Sequence, residues 1–99
     1  MEGAGVSESA ALDPQTELAY EVCIDLINEV VGVYSARLWD EQHAVRPDLD
    51  VIADLRQLIS RCAQTQQDLR PRDTDEVARI SQECGAVLRE SAGKPGKPR

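Results

Sequence analysis

Two Xaa-Pro breaks divide this chain into three segments, and they constrain its fold more than any other feature of the sequence. Arg46-Pro47 and Arg70-Pro71 each disfavour a helical conformation at the residue before the proline. Asp13-Pro14 has the opposite effect, because aspartate supplies an N-cap oxygen and proline fits the first position of a helix. The breaks therefore predict helices near 13 to 44, 47 to 68 and 74 to 91.

Apolar residues recur at helical spacing in each segment. The stripe of helix two consists of Val51, Ile52, Leu55, Leu58, Ile59 and Cys62. That of helix three is narrower and consists of Val77, Ile80, Cys84, Val87 and Leu88, beyond a cap at Asp73 or Thr74. Helix one has a wider apolar surface, so we expect it to contact more than one neighbour. The pattern predicts an all-α fold, a small antiparallel three-helix bundle with a long first helix.

The start of helix one extends beyond helix two. At 1.5 Å per residue helix one would span about 45 Å and helix two about 30 Å, which leaves roughly ten residues uncovered. The overhang carries Leu18, Tyr20, Val22 and Ile24. An exposed apolar patch of this kind favours a protein partner or completion of the bundle by dimerisation. Two alternatives are a break at Gly32 that lets the overhang fold back, and a β-strand over 30 to 34.

Four carboxylates recur at every fourth position of helix one: Glu17, Glu21, Asp25 and Glu29. Like charges at this spacing destabilise a helix by about 0.2 to 0.5 kcal/mol per pair, so the stripe attracts a counter-charge. It is interpreted as a solvated face, a docking face for a basic protein, or a metal site. The spacing departs from the paired Glu-x-x-Glu pattern of MazG-type nucleotide pyrophosphohydrolases. The predicted partner-binding residues are Glu17, Leu18, Glu21, Val22, Asp25 and Glu29.

The end of helix one carries three further candidates. Arg37 and His43 have a spacing similar to the Arg-x4-6-His motif of HEPN ribonucleases, but Asp40 and Glu41 between them would repel a phosphate. His43 is instead expected to interact with the dipole at the helix C-terminus. Trp39 is expected to anchor the core, with an interface hot spot as the alternative.

The net charge and the cysteines indicate which partners and which cellular compartment to expect. Eighteen acidic residues face eleven basic ones, a net charge of −7, which argues against nucleic-acid and membrane partners. Neither a signal segment nor an apolar stretch of spanning length is present in the sequence, so we expect a cytoplasmic protein. The three cysteines have no CxxC spacing and are expected to be reduced core residues, with Cys62 beside Arg61 the first candidate for reactivity.

The sequence thus predicts a bundle domain over 13–91 between disordered tails at 1–12 and 92–99, the second of them basic. Its expected function is that of a non-enzymatic protein–protein interaction module, a small regulatory, adaptor or inhibitor protein acting through an acidic and apolar helix face. The partner is another protein or a second copy, and no catalytic residue, cofactor or metal is expected. The alternative is a metal-dependent nucleotide phosphohydrolase of helical-bundle type that uses the helix-one carboxylates.

Overall fold

The computed structural model describes residues 13–93 and builds them from three α-helices. The helices are α1 (Pro14–Gln42), α2 (Leu49–Asp68) and α3 (Thr74–Gly93). Residues 13–93 contain no β-strand, so the all-α three-helix bundle is confirmed and a strand over 30 to 34 is wrong. The tails predicted at 1–12 and from residue 94 onward lie outside the described residues, whereas Ala92 and Gly93, assigned to the second tail, belong to α3.

Aspartates begin the first two helices. Asp13 Oδ1 accepts a hydrogen bond from the Thr16 N–H at 2.7 Å, and this bond holds the pKa of Asp13 below its ordinary value. Asp48 Oδ1 accepts from the N–H groups of Asp50 at 3.0 Å and Val51 at 3.3 Å. Each carboxylate therefore satisfies N–H groups that have no partner within their helix.

The turn before α3 uses its aspartate differently. Asp73 directly precedes α3, and its backbone carbonyl accepts the Val77 N–H at 2.8 Å. Its carboxylate Oδ2 accepts from the Arg70 N–H at 3.2 Å, within the turn. The Asp73 side chain thus stabilises the connection between α2 and α3.

α1 is the central packing element of the bundle. It packs against both α2 and α3, as its wide apolar surface predicts, whereas no Cα of α2 lies within 8 Å of a Cα of α3. A buried cluster comprises Cys23, Ile27 and Val30 of α1 with Leu69, Val77, Ile80 and Cys84. Ile52 and Leu55 are the buried residues of α2 itself. The two shorter helices are therefore held together through α1.

The helix-one overhang is covered in part by α3. α1 is continuous through Gly32, so the fold-back alternative is wrong. Tyr20 and Ile24 pack against the core cluster, whereas Leu18 and Val22 remain 59% and 45% exposed. Of the helices formed by residues 13–93, none combines the length and the apolar character needed to cross a membrane.

Candidate protein-interaction surfaces

All six predicted partner-binding residues lie on one exposed side of α1. We call this set the α1 face: Glu17, Leu18, Glu21, Val22, Asp25 and Glu29. Successive residues of an α-helix are about 100° apart, which places the α1 face roughly opposite the buried Cys23, Ile27 and Val30. The helix thus turns its core residues towards α2 and α3 and its acidic residues towards solvent.

The carboxylates of the α1 face are not used inside the bundle. Among residues 13–93 the ion pairs belong to Arg79, which contacts Glu76 and lies 2.6 Å from Glu83 through Nη1. Arg79 and Glu83 are four residues apart, the spacing at which oppositely charged side chains meet on a helix surface. The hydrogen bond from Arg79 also lowers the pKa of Glu76. The negative charge of the α1 face is therefore available to groups outside residues 13–93.

The apolar part of the α1 face continues into a depression. A cavity of about 550 Å³ opens between the start of α1 and the start of α3. Leu18, Ala19 and Val22 line it from α1, and Val77 and Ala78 line it from α3. The exposed aliphatic side chains thus border a concave surface rather than standing alone.

A second concave surface, not predicted from the sequence, runs between α2 and α3. This α2–α3 groove has a volume of about 420 Å³ and a floor formed by Ile27, Val30 and Tyr34 of α1. Its apolar wall residues are Leu58, Cys62 and Leu69 on one side and Ile80, Cys84 and Val87 on the other. Burial raises the pKa of the Tyr34 hydroxyl. Periodicity identified most of these residues as core, but it does not reveal that α2 and α3 stay apart.

The α1–α2 turn forms an exposed apolar tip instead of a core corner. Trp39 is 60% exposed, so its assignment to the core is wrong. Its ring stacks on the His43 ring with centroids 3.9 Å apart, and His43 Nδ1 donates to the Trp39 carbonyl at 2.8 Å. The preceding residue, Leu38, is half-buried, whereas Trp39 lies about 100° further around α1, on the side that faces away from Cys23, Ile27 and Val30. Val45 and Leu49 are also exposed here, at 99% and 74%.

The same turn contains His43, which with Arg37 has a spacing similar to a ribonuclease motif. His43 is the C-cap of α1, as the dipole interpretation expects. Its Nδ1 is engaged by the Trp39 carbonyl, and Arg37 is exposed on the helix surface. The contacts of His43 are thus those of a helix terminus.

The cysteines pack as apolar residues. All three are free, with Cys23 and Cys84 buried and Cys62 half-buried. Burial raises the pKa of Cys62 and raises that of Cys84 to about 11. The structure therefore opposes the suggestion that Arg61 activates Cys62, because a reactive thiol requires a lowered pKa.

Metal chemistry at the α1 face lacks the necessary geometry. Within residues 13–93, no group of three or more His, Cys, Asp or Glu side chains is arranged to hold a metal ion. The stripe carboxylates follow one another along the helix, about one turn apart, instead of converging on one point. No structural observation therefore favours the phosphohydrolase alternative.

Comparison of the chain with protein-family models, with curated proteins and with solved structures finds no match in any of the three.

Proposed function

We propose that the protein is a cytoplasmic, non-enzymatic interaction module that binds a basic protein partner through the α1 face. One observation carries the proposal: Leu18 and Val22 stay exposed beside carboxylates that pair with no arginine of residues 13–93. Apolar side chains in a charged rim are the composition of a protein-binding patch. A small regulatory, adaptor or inhibitor protein needs no more than such a surface.

We expect Leu18 and Val22 to supply most of the binding affinity and the carboxylates to set the association rate. Aliphatic side chains that leave water on binding supply the hydrophobic free energy. Exposed charges of one sign mainly steer the encounter, and this effect weakens as the Debye length falls from about 10 Å at 0.1 M salt to about 3 Å at 1 M.

Affinity capture from a native cell extract with the immobilised full chain tests the proposal. Val22→Asp should abolish capture, because it places a charge in the apolar part of the α1 face. Val45→Asp is the matched control, since Val45 is 99% exposed in the turn at the other end of α1. Circular dichroism checks that both variants keep their helices. Capture of the same protein by Val22→Asp would refute the role of this face.

Neutralising the carboxylates of the α1 face distinguishes a role in partner association from a role in the fold. Glu21→Gln, Asp25→Asn and Glu29→Gln together should slow association at low salt and leave the fold intact or slightly more stable. If the triple variant unfolds more easily and binds at an unchanged rate, the carboxylates are structural. Sedimentation at high micromolar concentration completes the test: a dimer abolished by Val22→Asp would make the partner a second copy.

A further inference from the structure

The connection between α1 and α2 exposes one face of an aromatic ring. We call Trp39, His43, Val45 and Leu49, which are all exposed there, the α1–α2 tip. The His43 ring stacks on one face of the indole, with the ring centroids 3.9 Å apart. Trp39 is still 60% exposed, so the other face of its ring is open to a further group. An indole face is the aromatic surface that lysine and arginine contact most favourably.

The charge around the α1–α2 tip is negative when every ionisable group is counted. Residues 37–50 contain two arginines, Arg37 and Arg46, and four carboxylates, Asp40, Glu41, Asp48 and Asp50. Glu41 and Asp48 accept backbone N–H groups and keep their charge, and the ion pairs within residues 13–93 are those of Arg79. The last turn of α1 has no basic residue, so the negative end of its dipole is uncompensated. The tip therefore attracts a cationic group.

Residues 94–99 have the complementary charge. They read KPGKPR, with three basic side chains and no acidic side chain. They include both lysines of the chain, whereas residues 13–93 contain sixteen acidic residues and eight arginines. Because the segment is joined to α3, its effective concentration at a nearby surface is on the order of millimolar.

α3 ends level with the α1–α2 tip. α1 and α3 run in the same direction, since their starts border one cavity and Tyr34 and Val87 line the α2–α3 groove farther along. Trp39 lies about 8 Å beyond Tyr34 along α1, and Gly93 lies about 9 Å beyond Val87 along α3. A chain spans at most about 3.3 to 3.6 Å per residue, so residues 94–99 reach roughly 20 Å from Gly93. The tip is within this distance.

Asp40 lies between the end of α3 and Trp39. Eighteen residues make five turns of an α-helix, so Asp40 is on the same side of α1 as Val22, which borders the cavity between α1 and α3. Trp39 is about 100° farther around α1. A segment that leaves the end of α3 therefore passes the Asp40 carboxylate before it reaches the open face of the indole.

We propose that residues 94–99 dock on the α1–α2 tip of the same chain. One basic side chain covers the open face of the Trp39 ring, and another meets the Asp40 carboxylate. Docking covers the exposed indole and places positive charge at the negative end of α1. The proposal goes beyond the proposed function, because the tip lies at the other end of α1 from Leu18 and Val22.

Quenching of Trp39 fluorescence by acrylamide tests the proposal in the full chain, which has a single tryptophan. At 0.1 M salt, Lys94→Glu, Lys97→Glu and Arg99→Glu together should raise the quenching constant about twofold, because the segment no longer covers the indole. The difference should vanish at 1 M salt, because the Debye length falls from about 10 Å to about 3 Å. Circular dichroism checks that the triple variant keeps its helices.

Carbodiimide coupling identifies the contact, because the chain has only two lysines. The reagent joins an amine to a carboxylate that touches it, and mass spectrometry of the monomer should find a lysine joined to Asp40 or Glu41. Asp40→Asn should lower the yield of this product and raise the quenching of Trp39, each about twofold. Asp68→Asn is the matched control and should change neither, since Asp68 lies about 28 Å along α2 from its start.

Three results would overturn docking within one chain. The first is equal quenching of Trp39 in the original chain and in the triple variant at 0.1 M salt. The second is coupling of the lysines mainly to other carboxylates, such as those of the α1 face. The third is coupling that occurs in dimers alone and increases with protein concentration, which would assign the tip to a second copy. Partner capture with Val22→Asp tests the α1 face separately, so failure of either proposal is read independently of the other.

Discussion

Replacing Ile27 by alanine tests how α1 holds its neighbours. Ile27 is 1% exposed, belongs to the buried cluster and lines the floor of the α2–α3 groove. Truncating a buried isoleucine to alanine costs about 2 to 5 kcal/mol, from lost burial and from the cavity that remains. A folded unit of this size has a total stability of about 4 to 12 kcal/mol. Ile27→Ala should therefore remove a large part of the free energy of unfolding.

Leu18→Ala is the matched comparison on the same helix. Full burial of a leucine is worth about 1.5 to 3 kcal/mol, and Leu18 is 59% exposed, so its truncation should cost about 1 kcal/mol or less. Urea unfolding followed by circular dichroism at 222 nm measures both variants. With a slope of about 1 kcal/mol/M, Ile27→Ala should lower the midpoint by about 2 M or more and Leu18→Ala by about 1 M at most. Equal shifts would refute the assignment of Ile27 to the core.

Four further predictions follow from individual residues. Gly32→Ala should raise the free energy of unfolding by about 0.8 to 1 kcal/mol, because a Cβ there meets no atom within 4 Å and alanine favours a continuous helix. Acidification below the ordinary aspartate pKa of 3.8 should fray the start of α1, and Asp13→Asn should remove this part of the pH dependence, since asparagine caps without ionising. In urea unfolding, Trp39→Ala should lower the free energy of unfolding by far less than the roughly 3 to 5 kcal/mol that truncation of a buried tryptophan costs. In native protein at pH 8, a thiol reagent should modify Cys62 before the other cysteines but more slowly than a free thiol, because burial raises its pKa.

The sign of the Asp13 prediction comes from its hydrogen bond. The bond from the Thr16 N–H lowers the pKa in the folded state, so the stabilisation is present above the unfolded pKa. It is lost as the pH falls through the lower, folded value. An acid transition that is unchanged in Asp13→Asn would contradict the role of Asp13 as the N-cap of α1. A free energy of unfolding that is lower in Gly32→Ala than in the original chain would contradict an unstrained α1 at Gly32.

Local chemistry accounts for the parts of the fold that were predictable. Asp13-Pro14 and Pro47 predicted the ends of helices because capping and the steric effect of proline act within a few residues. The end of α3 was placed two residues early, at Ser91, because a glycine both ends helices and is tolerated in their last turn. Apolar spacing likewise predicted the buried residues of α2 and α3, but it also placed Val51 in the α2 stripe, and Val51 is 38% exposed.

The errors concern which side of a helix a residue occupies and how two helices sit on a third. Trp39 was assigned to the core because large aromatic residues are usually buried, but it lies on the side of α1 that faces away from Cys23, Ile27 and Val30. Helix lengths predicted an uncovered overhang, but of its four apolar residues only Leu18 and Val22 are exposed, because Tyr20 and Ile24 pack against the core cluster. The α2–α3 groove was not predicted, because the distance between α2 and α3 depends on how each sits on α1, which apolar periodicity does not report.

α1 is the element through which the fold is held together. α2 and α3 are held through α1 and not through each other, so their relative position is less constrained than in a bundle where every helix touches two neighbours. Loss of a buried side chain of α1 should therefore loosen both shorter helices. Hydrogen exchange measures this effect: Ile27→Ala, at a buried position, should speed exchange along α2 and α3 alike, whereas Leu18→Ala, at an exposed position, should leave it unchanged.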